Sequence, residues 1–376
     1  MAEIRFFNDE GSGNLQPLTH MRDAQDLRCG ILTLKEKAES SLKKLKTPFS
    51  ILLNGRVLVG QPLADEIKKA KSPVVFMKDR TVVAALVKKT SADKVPASLD
   101  VPKKQIKAFL VEFPWDLIYA NGKEIGEDVK RLGLKPASPS RLPKQVFIVN
   151  KKAVFIGKNV TVKPGVVLDA ENGPIVIDDN AVIMSNSVIM GPVYIGKGST
   201  VKAIAKIYGG TTVGPMCKIG GELEATIFHG YSNKQHDGFL GHSYISEWVN
   251  LGADTNNSDL KNNYENVRVQ MGSRTVDTGR MFMGLVMGDH SKSGINSMFN
   301  TGTIAGVSCN IFGSNFPDKY IPSFSWGGGG HYSTYDIERA VKTARAVMKR
   351  RNVEMSKDYE NRFREVFALT SSERKS

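Results

Sequence analysis

The chain has 376 residues, 41% of them hydrophobic, enough for two core-forming domains and too apolar for a disordered chain. Its 52 Lys and Arg against 38 Asp and Glu give a net charge of +14. No aromatic–basic motif accompanies that charge, so the excess reads as a basic solvated surface that favours anionic small molecules over nucleic acid.

The N-terminus, MAEIRFFNDEGSG, lacks the basic start and apolar stretch of a signal peptide, and no apolar run approaches membrane-spanning length. Cys29, Cys217 and Cys309 lie far apart without metal-ligand spacing. They read as reduced thiols in a cytoplasmic protein. Residues 1–145 read as a mixed α/β domain. The stretches FSILLNGRVLVG and PVVFMKDRTVVAALV are β-branched and bounded by glycine or charge, as strands are. LKEKAESSLKKLK and SLDVPKKQIKAFLVEF are expected to be helical. Lys135-Pro136-Ala137-Ser138-Pro139-Ser140 reads as a linker.

Beyond the linker the pattern changes. Ile177, Ile183, Ile189, Ile195, Val201, Ile207, Val213 and Ile219 fall six apart without a break, and Ile156, Val162 and Leu168 form an earlier run with the same step. The two runs are offset by three residues, which places a small protruding loop near Asn172-Gly173-Pro174. Four residues after the aliphatic position the side chain is usually small, as at Ala181, Ser187, Ser199, Ala205, Thr211 and Cys217. A helix cannot hold one face at period six, and a plain amphipathic strand alternates by two. Period six suits a short strand and a turn forming one side of a triangular coil. Stacked coils build an aliphatic column. The expected fold is therefore a left-handed parallel β-helix over 146–330, behind the α/β domain. Asp336 then opens a helix whose apolar face is Ile337, Ala340, Val341, Ala344, Val347 and Met348, with a second helix around Asp358–Phe367. Residues 331–376 form this helical extension.

Three of the six histidines fall at 229, 236 and 242. A neutral imidazole is the side chain best suited to accept a proton from an attacking amine. The same three histidines, at steps of seven and six, also permit a zinc site shared between subunits. His242 and His290 are further candidate bases.

The segment GGELEATIFHGYSNKQHDGFLGHSYISEWVNLGADT resembles the acetyltransferase domain of the bifunctional enzymes that make UDP-N-acetylglucosamine. Glu222 leads at a matching interval to His236 in His-Asp-Gly-Phe-Leu-Gly, then to Asn250-Leu-Gly-Ala-Asp. GDHSKSGINSMFNTGT resembles a further segment of that group. The resemblance implies an acetyl-CoA-dependent transferase with His236 as the catalytic base. It implies substrate contacts at Lys206, Glu224, Phe239, Asn250 and Asn263, and coenzyme contacts at Ala253, Ser293 and Ile295. It also implies a homotrimer that binds coenzyme A between subunits and acts on an amino sugar phosphate or nucleotide sugar. Upstream, Gly11-Ser-Gly13-Asn-Leu-Gln-Pro17-Leu18-Thr19, Leu53-Asn54-Gly55-Arg56 and Phe113-Pro114-Trp115-Asp116-Leu117 resemble motifs of the sugar nucleotidyltransferase domain. They imply nucleotide binding at Gly11, Gly13 and Arg22.

Departures from those motifs are specific. Asn14-Leu15 replaces a Thr-Arg pair, and Met21-Arg22-Asp23 lies where a lysine is expected. Arg56 stands where a carboxylate would bind Mg2+, and a cation cannot ligate magnesium. Glu224 replaces a phosphate-binding lysine, Lys206 an arginine, and Phe239 a tyrosine. An active sugar-1-phosphate nucleotidyltransferase and a non-catalytic sugar-nucleotide-binding protein stand as the alternatives.

Overall fold

The computed structural model describes residues 3–42, 45–89, 96, 99–136 and 142–374. Residues 137–140 of the linker lie outside that set.

The N-terminal domain is built on a five-stranded mixed sheet. Glu3–Phe7 runs parallel to Phe49–Asn54, which pairs antiparallel with Thr81–Lys88. Thr81–Lys88 pairs in turn with Val74–Lys78. Helices α1 (Leu34–Leu42) and α2 (Gln61–Lys69) cover it through Ala38, Leu42, Leu63 and Ile67. The helix expected over 98–113 is not formed. Lys103–Gln105 is instead a strand parallel to Val75–Met77, and Phe109–Leu110 pairs with Val57–Leu58. Pro102 has no N–H to give a helix, and the open edge of Val74–Lys78 offers a hydrogen-bonding partner. The domain's longest helix, α3 (Pro114–Leu132), begins directly after this segment. Its start and stop follow local chemistry. Pro114 occupies the first turn, Asp116 accepts hydrogen bonds from the N–H groups of Glu112 and Phe113, and Gly133 ends the helix at φ +60°.

Residues 147–328 wind a left-handed parallel β-helix. Its first face holds strands such as Thr161–Val162, Val182–Ile183, Thr200–Val201, Lys218–Ile219 and Asn233–Lys234. The second face holds Val167–Asp169, Val188–Met190, Lys206–Ile207, Glu222–Glu224 and Phe239–Gly241. The third holds nine strands from Val154–Ile156 to Tyr320–Ile321. The hexad residues Ile177, Ile183, Ile189, Ile195, Val201, Ile207, Val213 and Ile219 are all fully buried in one continuous core. That core runs on past the regular repeat through Leu223, Phe228, Leu240, Ile245, Leu285, Ala305, Ile311 and Ile321. Between the second and third faces, one coil leaves the solenoid at Asp259 and returns at Leu285. It carries a hairpin, Arg268–Met271 with Arg274–Asp277.

One face of the β-helix is covered by the chain itself. The outward residues of the third face form a register column: Phe155, Val176, Tyr194, Thr212, Ile227, Tyr244, Val286, Ile304 and Tyr320. Ile227, Tyr244, Val286 and Ile304 pack with Leu15, Leu18, Trp115, Leu117 and Ile118. Phe155, Val176 and Tyr194 pack with Ile31 and Ile125. The domains therefore share a core instead of meeting across a linker. The C-terminal helices α4 (Ile337–Lys349, capped by Asp336) and α5 (Lys357–Leu369, capped by Ser356) pack on Trp248, Val307 and Phe324 of the coils.

Candidate functional site

Each coil turns three corners, and the histidines of interest stand at different ones. His236 sits between the first and second faces, in the turn from Asn233–Lys234 to Phe239–Gly241, with its side chain exposed. Lys234 lies beneath it. Lys234 pairs in register with Ile219, so it occupies a position of the aliphatic column, and it is 0% exposed. Its Nζ donates to the backbone oxygens of His236 and Asp237 at 3.0 Å each. Burial pulls this ammonium down to a pKa of about 8. The turn closes through Gly221 and Gly238, both at positive φ, where an added Cβ would stand 3.1 Å from the Lys234 nitrogen. A buried cation thus pins the backbone that presents His236. Counting back six from Leu240 reaches Lys234, so a lysine at an apolar position was the available sequence cue.

The same corner gathers most residues that the resemblance implied. Lys206 and Glu222 pair across neighbouring coils, and Glu222 lies beside Phe239 on the next. Glu224 is exposed on the same face. Asn250 bridges Asn233 and Lys292 on the first face. Ala253 accepts a hydrogen bond from the N–H of Asn296, one coil on, and the neighbouring Ile295 is 71% exposed. Ser293 is turned inward, accepting from the N–H of Gly252 and bonding the Thr255 hydroxyl at 2.8 Å. Asn263 stands apart, exposed in the excursion between Asp259 and Leu285. The Lys206 ammonium is 2.6 Å from Glu222, whose hydrogen bond raises its pKa. The cation expected to meet a phosphate is therefore partnered by a carboxylate.

His242 turns the corner between the second and third faces at φ +43°. Its Nδ1 is 2.8 Å from Asp259 Oδ2. Its ring stacks on Phe282 at 5.0 Å and lies 5.8 Å from that of Tyr119 on α3. Sequence reasoning missed Asp259, Tyr119 and Phe282 because the excursion brings Asp259 and Phe282 to the histidine, and the packing of α3 brings Tyr119.

At the remaining corner the histidines are structural. His229 is buried with Nδ1 3.1 Å from the Tyr244 hydroxyl, and burial holds its pKa well below the ordinary value. His290 is buried with Nε2 3.0 Å from the Tyr359 hydroxyl of α5, and burial depresses it likewise. Between them lies Arg22, which donates to Asp289 at 3.0 Å and to Glu247 at 3.1 Å, tying the N-terminal domain to two coils. Among the described residues no group of three or more His, Cys, Asp or Glu is placed to hold a metal ion.

The glycine-rich segment forms a short 3-10 turn, Glu10–Leu15. The Arg56 guanidinium lies directly over Gly11, 2.4 Å from where a Cβ would be. Arg56 is held by Asp9 at 2.7 and 2.6 Å and donates to the Val111 carbonyl at 2.9 Å. Burial of Asp9 opposes ionisation, but hydrogen bonds from Arg56 and Asn54 hold its carboxyl below the ordinary value. An arginine spent on the nearby carboxylate leaves no fit for magnesium here. Gly13 is open and faces a cavity of about 220 Å³ that Asn14, Arg274, Tyr320 and Glu373 also line.

Residues 4–135 match the model of a family described as sugar nucleotidyl transferase. The chain is 32% identical over 102 residues to a protein of Methanocaldococcus jannaschii named bifunctional protein GlmU, covering 27% of this chain and 25% of that one. It is 33% identical over 98 residues to a bifunctional sugar-1-phosphate nucleotidylyltransferase/acetyltransferase of Sulfurisphaera tokodaii, covering 25% and 24%. The chain thus spans about a quarter of the length of these relatives. Among solved structures, a UDP-N-acetylglucosamine acyltransferase of Campylobacter jejuni aligns with 61% of this chain and 96% of its own, at 16% identity and a TM-score of 0.34. The chain therefore joins an N-terminal domain that matches the sugar nucleotidyl transferase family to a left-handed β-helix, and it is similar over part of its length to the bifunctional nucleotidylyltransferase/acetyltransferases.

Proposed function

We propose that the chain is an acyl-CoA-dependent transferase, with acetyl-CoA as donor, that acylates the amine of an amino sugar bearing a phosphate or nucleotide. The observation that carries this reading is the exposed His236, fixed at its corner by the buried Lys234 ammonium and stacked with Ala253 and Ile295 on the next coils. The neutral imidazole accepts the proton as the amine nitrogen attacks the thioester carbonyl. The C–S bond then breaks, and the thiolate leaves with a proton. Glu224, Phe239 and Asn250 would face the sugar, and Ala253 and Ile295 the coenzyme. Asn263 and the inward Ser293 would act from behind or beside these groups. With His236 exposed at a corner of the coil, the opposite wall of a site would come from a neighbouring copy, as in a homotrimer. No helix among the described residues is long and apolar enough to cross a membrane, and we place the reaction in the cytoplasm.

In this reading the N-terminal domain binds a nucleotide or sugar nucleotide near Gly13, with Arg22 serving the domain junction. The test is release of free thiol from acetyl-CoA against a panel of amino sugars and their phosphates. His236→Ala should lower turnover by roughly 10²–10⁴-fold while leaving assembly intact. Full turnover in that variant would refute the assignment. A second reading, a non-catalytic sugar-nucleotide-binding protein, is favoured by Arg56 over Gly11 and by the Lys206–Glu222 pair. It expects nucleotide-dependent thermal stabilisation with no thiol release.

A further inference from the structure

The corner at His242 has features that the transferase reading leaves unused. Asp259 accepts a hydrogen bond from Nδ1, which fixes the tautomer and leaves the Nε2 lone pair free. The imidazole side chain is 16% exposed, and no polar partner meets Nε2 among the described residues. A histidine kept only for packing has no need of an oriented, accessible acceptor.

The surroundings are selective in charge. Tyr119 and Arg280, stacked with the guanidinium 4.4 Å over the ring, line a cleft of about 750 Å³ beside this corner. Its carboxylates are already engaged. Asp116 accepts from two backbone N–H groups, Glu124 from buried Lys37, and Glu127 from Lys130. Lys107, Lys123 and Arg280 line the same cleft and form no salt bridge among the described residues. Four cations, Arg131 included, line the cleft against three carboxylates, and that one-charge excess together with three unbridged cations suits a phosphate. Tyr119 lines the cleft on the side of His242 and donates its hydroxyl to the carbonyl of Phe282, whose ring stacks on the imidazole, at 2.8 Å. Phe109, 46% exposed, lines the same cleft, and an open aromatic ring suits the apolar face of a sugar.

We propose that this corner is a second ligand site, within one subunit and separate from the His236 ridge, for a phosphorylated sugar. The phosphate lies against Lys107, Lys123 and Arg280, and a sugar hydroxyl donates to His242 Nε2. The site does not depend on acyl transfer, so it can hold or fail independently of the function proposed above.

The test is carbethoxylation of the whole chain by diethyl pyrocarbonate, followed by peptide mass mapping, with exposed His236 as the internal control. His242 should be modified despite its partial burial. Glucose-1-phosphate should slow that modification at least tenfold while leaving His236 unchanged, and inorganic phosphate should protect far less. Arg280→Gln, at an exposed position, should abolish the protection without altering basal labelling. Asp259→Asn should slow labelling of His242, because the amide no longer enforces the tautomer. Inert His242, protection equal for inorganic phosphate and sugar phosphate, or protection surviving Arg280→Gln would each overturn the proposal.

Discussion

Lys234→Met probes whether a residue kept at the expense of stability serves the His236 corner. The side chain lies in a column otherwise filled by residues such as Val201 and Ile219, and it is 0% exposed. Its pKa of about 8 compares with an ordinary 10.5. At 1.36 kcal/mol per unit, the charged form costs the fold about 3 kcal/mol. Methionine has a similar length and no charge, so the variant should be more stable than the wild type at pH 7 by about that amount. The sign follows from linkage. Between pH 8 and 10.5 the unfolded chain binds the extra proton, so wild-type stability rises across that window. The advantage of Lys234→Met should therefore shrink to near zero by pH 10.5. Paired thermal melts at pH 7 and pH 10 measure this, and the difference between the two proteins cancels other titrations. The same variant loses both hydrogen bonds to the His236 turn, so acyl transfer should fall even as melting temperature rises. A variant that melts below the wild type at pH 7, or by a pH-independent margin, would refute the reasoning. Unchanged turnover would remove the link to His236.

Ile207→Asp would bury an unpaired carboxylate in the core, costing several kcal/mol and collapsing the coil, whereas Lys197→Asp on the surface should be tolerated; circular dichroism and size-exclusion chromatography distinguish them. No magnesium-dependent release of pyrophosphate is expected from any sugar-1-phosphate and nucleotide pair, because Arg56 and Asp9 occupy each other; robust release in a coupled assay would overturn this. Arg56→Ala should destabilise by about 1–3 kcal/mol, since it removes the charge-assisted hydrogen bonds to the partly exposed Asp9 and the donor to the Val111 carbonyl, and a chemical denaturation series reads the loss. Burial lowers His20 to a pKa of about 4 from 6.5, so the unfolded chain binds the extra proton as pH falls through that window. About 3 kcal/mol of stability should be lost between pH 6.5 and 4, and much less in His20→Gln, as followed by melting temperature.

The β-helix could be read from sequence because its core repeats locally. An aliphatic residue every six positions needs no distant partner to be recognised, and the uninterrupted run from Ile177 to Ile219 is buried as that spacing requires. The C-terminal helices were equally legible, since Asp336 and Ser356 cap segments whose apolar faces follow helical spacing. The helix expected over 98–113 failed because its amphipathic pattern competed with an open sheet edge contributed by residues 74–78, which propensity along the chain cannot represent. The helix α3 was not anticipated either, although its boundaries are written locally in Pro114, Asp116 and Gly133.

At the candidate sites the division is sharper. The resemblance picks out His236, Ala253 and Ile295, and the register Asn233–Asn250–Lys292 stacks their positions on one corner at unequal steps of 17 and 42 residues that no constant repeat supplies. What Lys234 does there appears only when the register puts its ammonium under two carbonyls. The fate of Arg22, committed to Asp289 and Glu247, depends on packing between residues more than 200 positions apart. The His242–Asp259 pair depends on an excursion whose path no repeat specifies. Sequence alone determined the coil and its aliphatic column, because those rest on contacts at constant spacing. Only tertiary structure decided which charges are free and which are spent, because ion pairing depends on which groups the folded chain brings within reach.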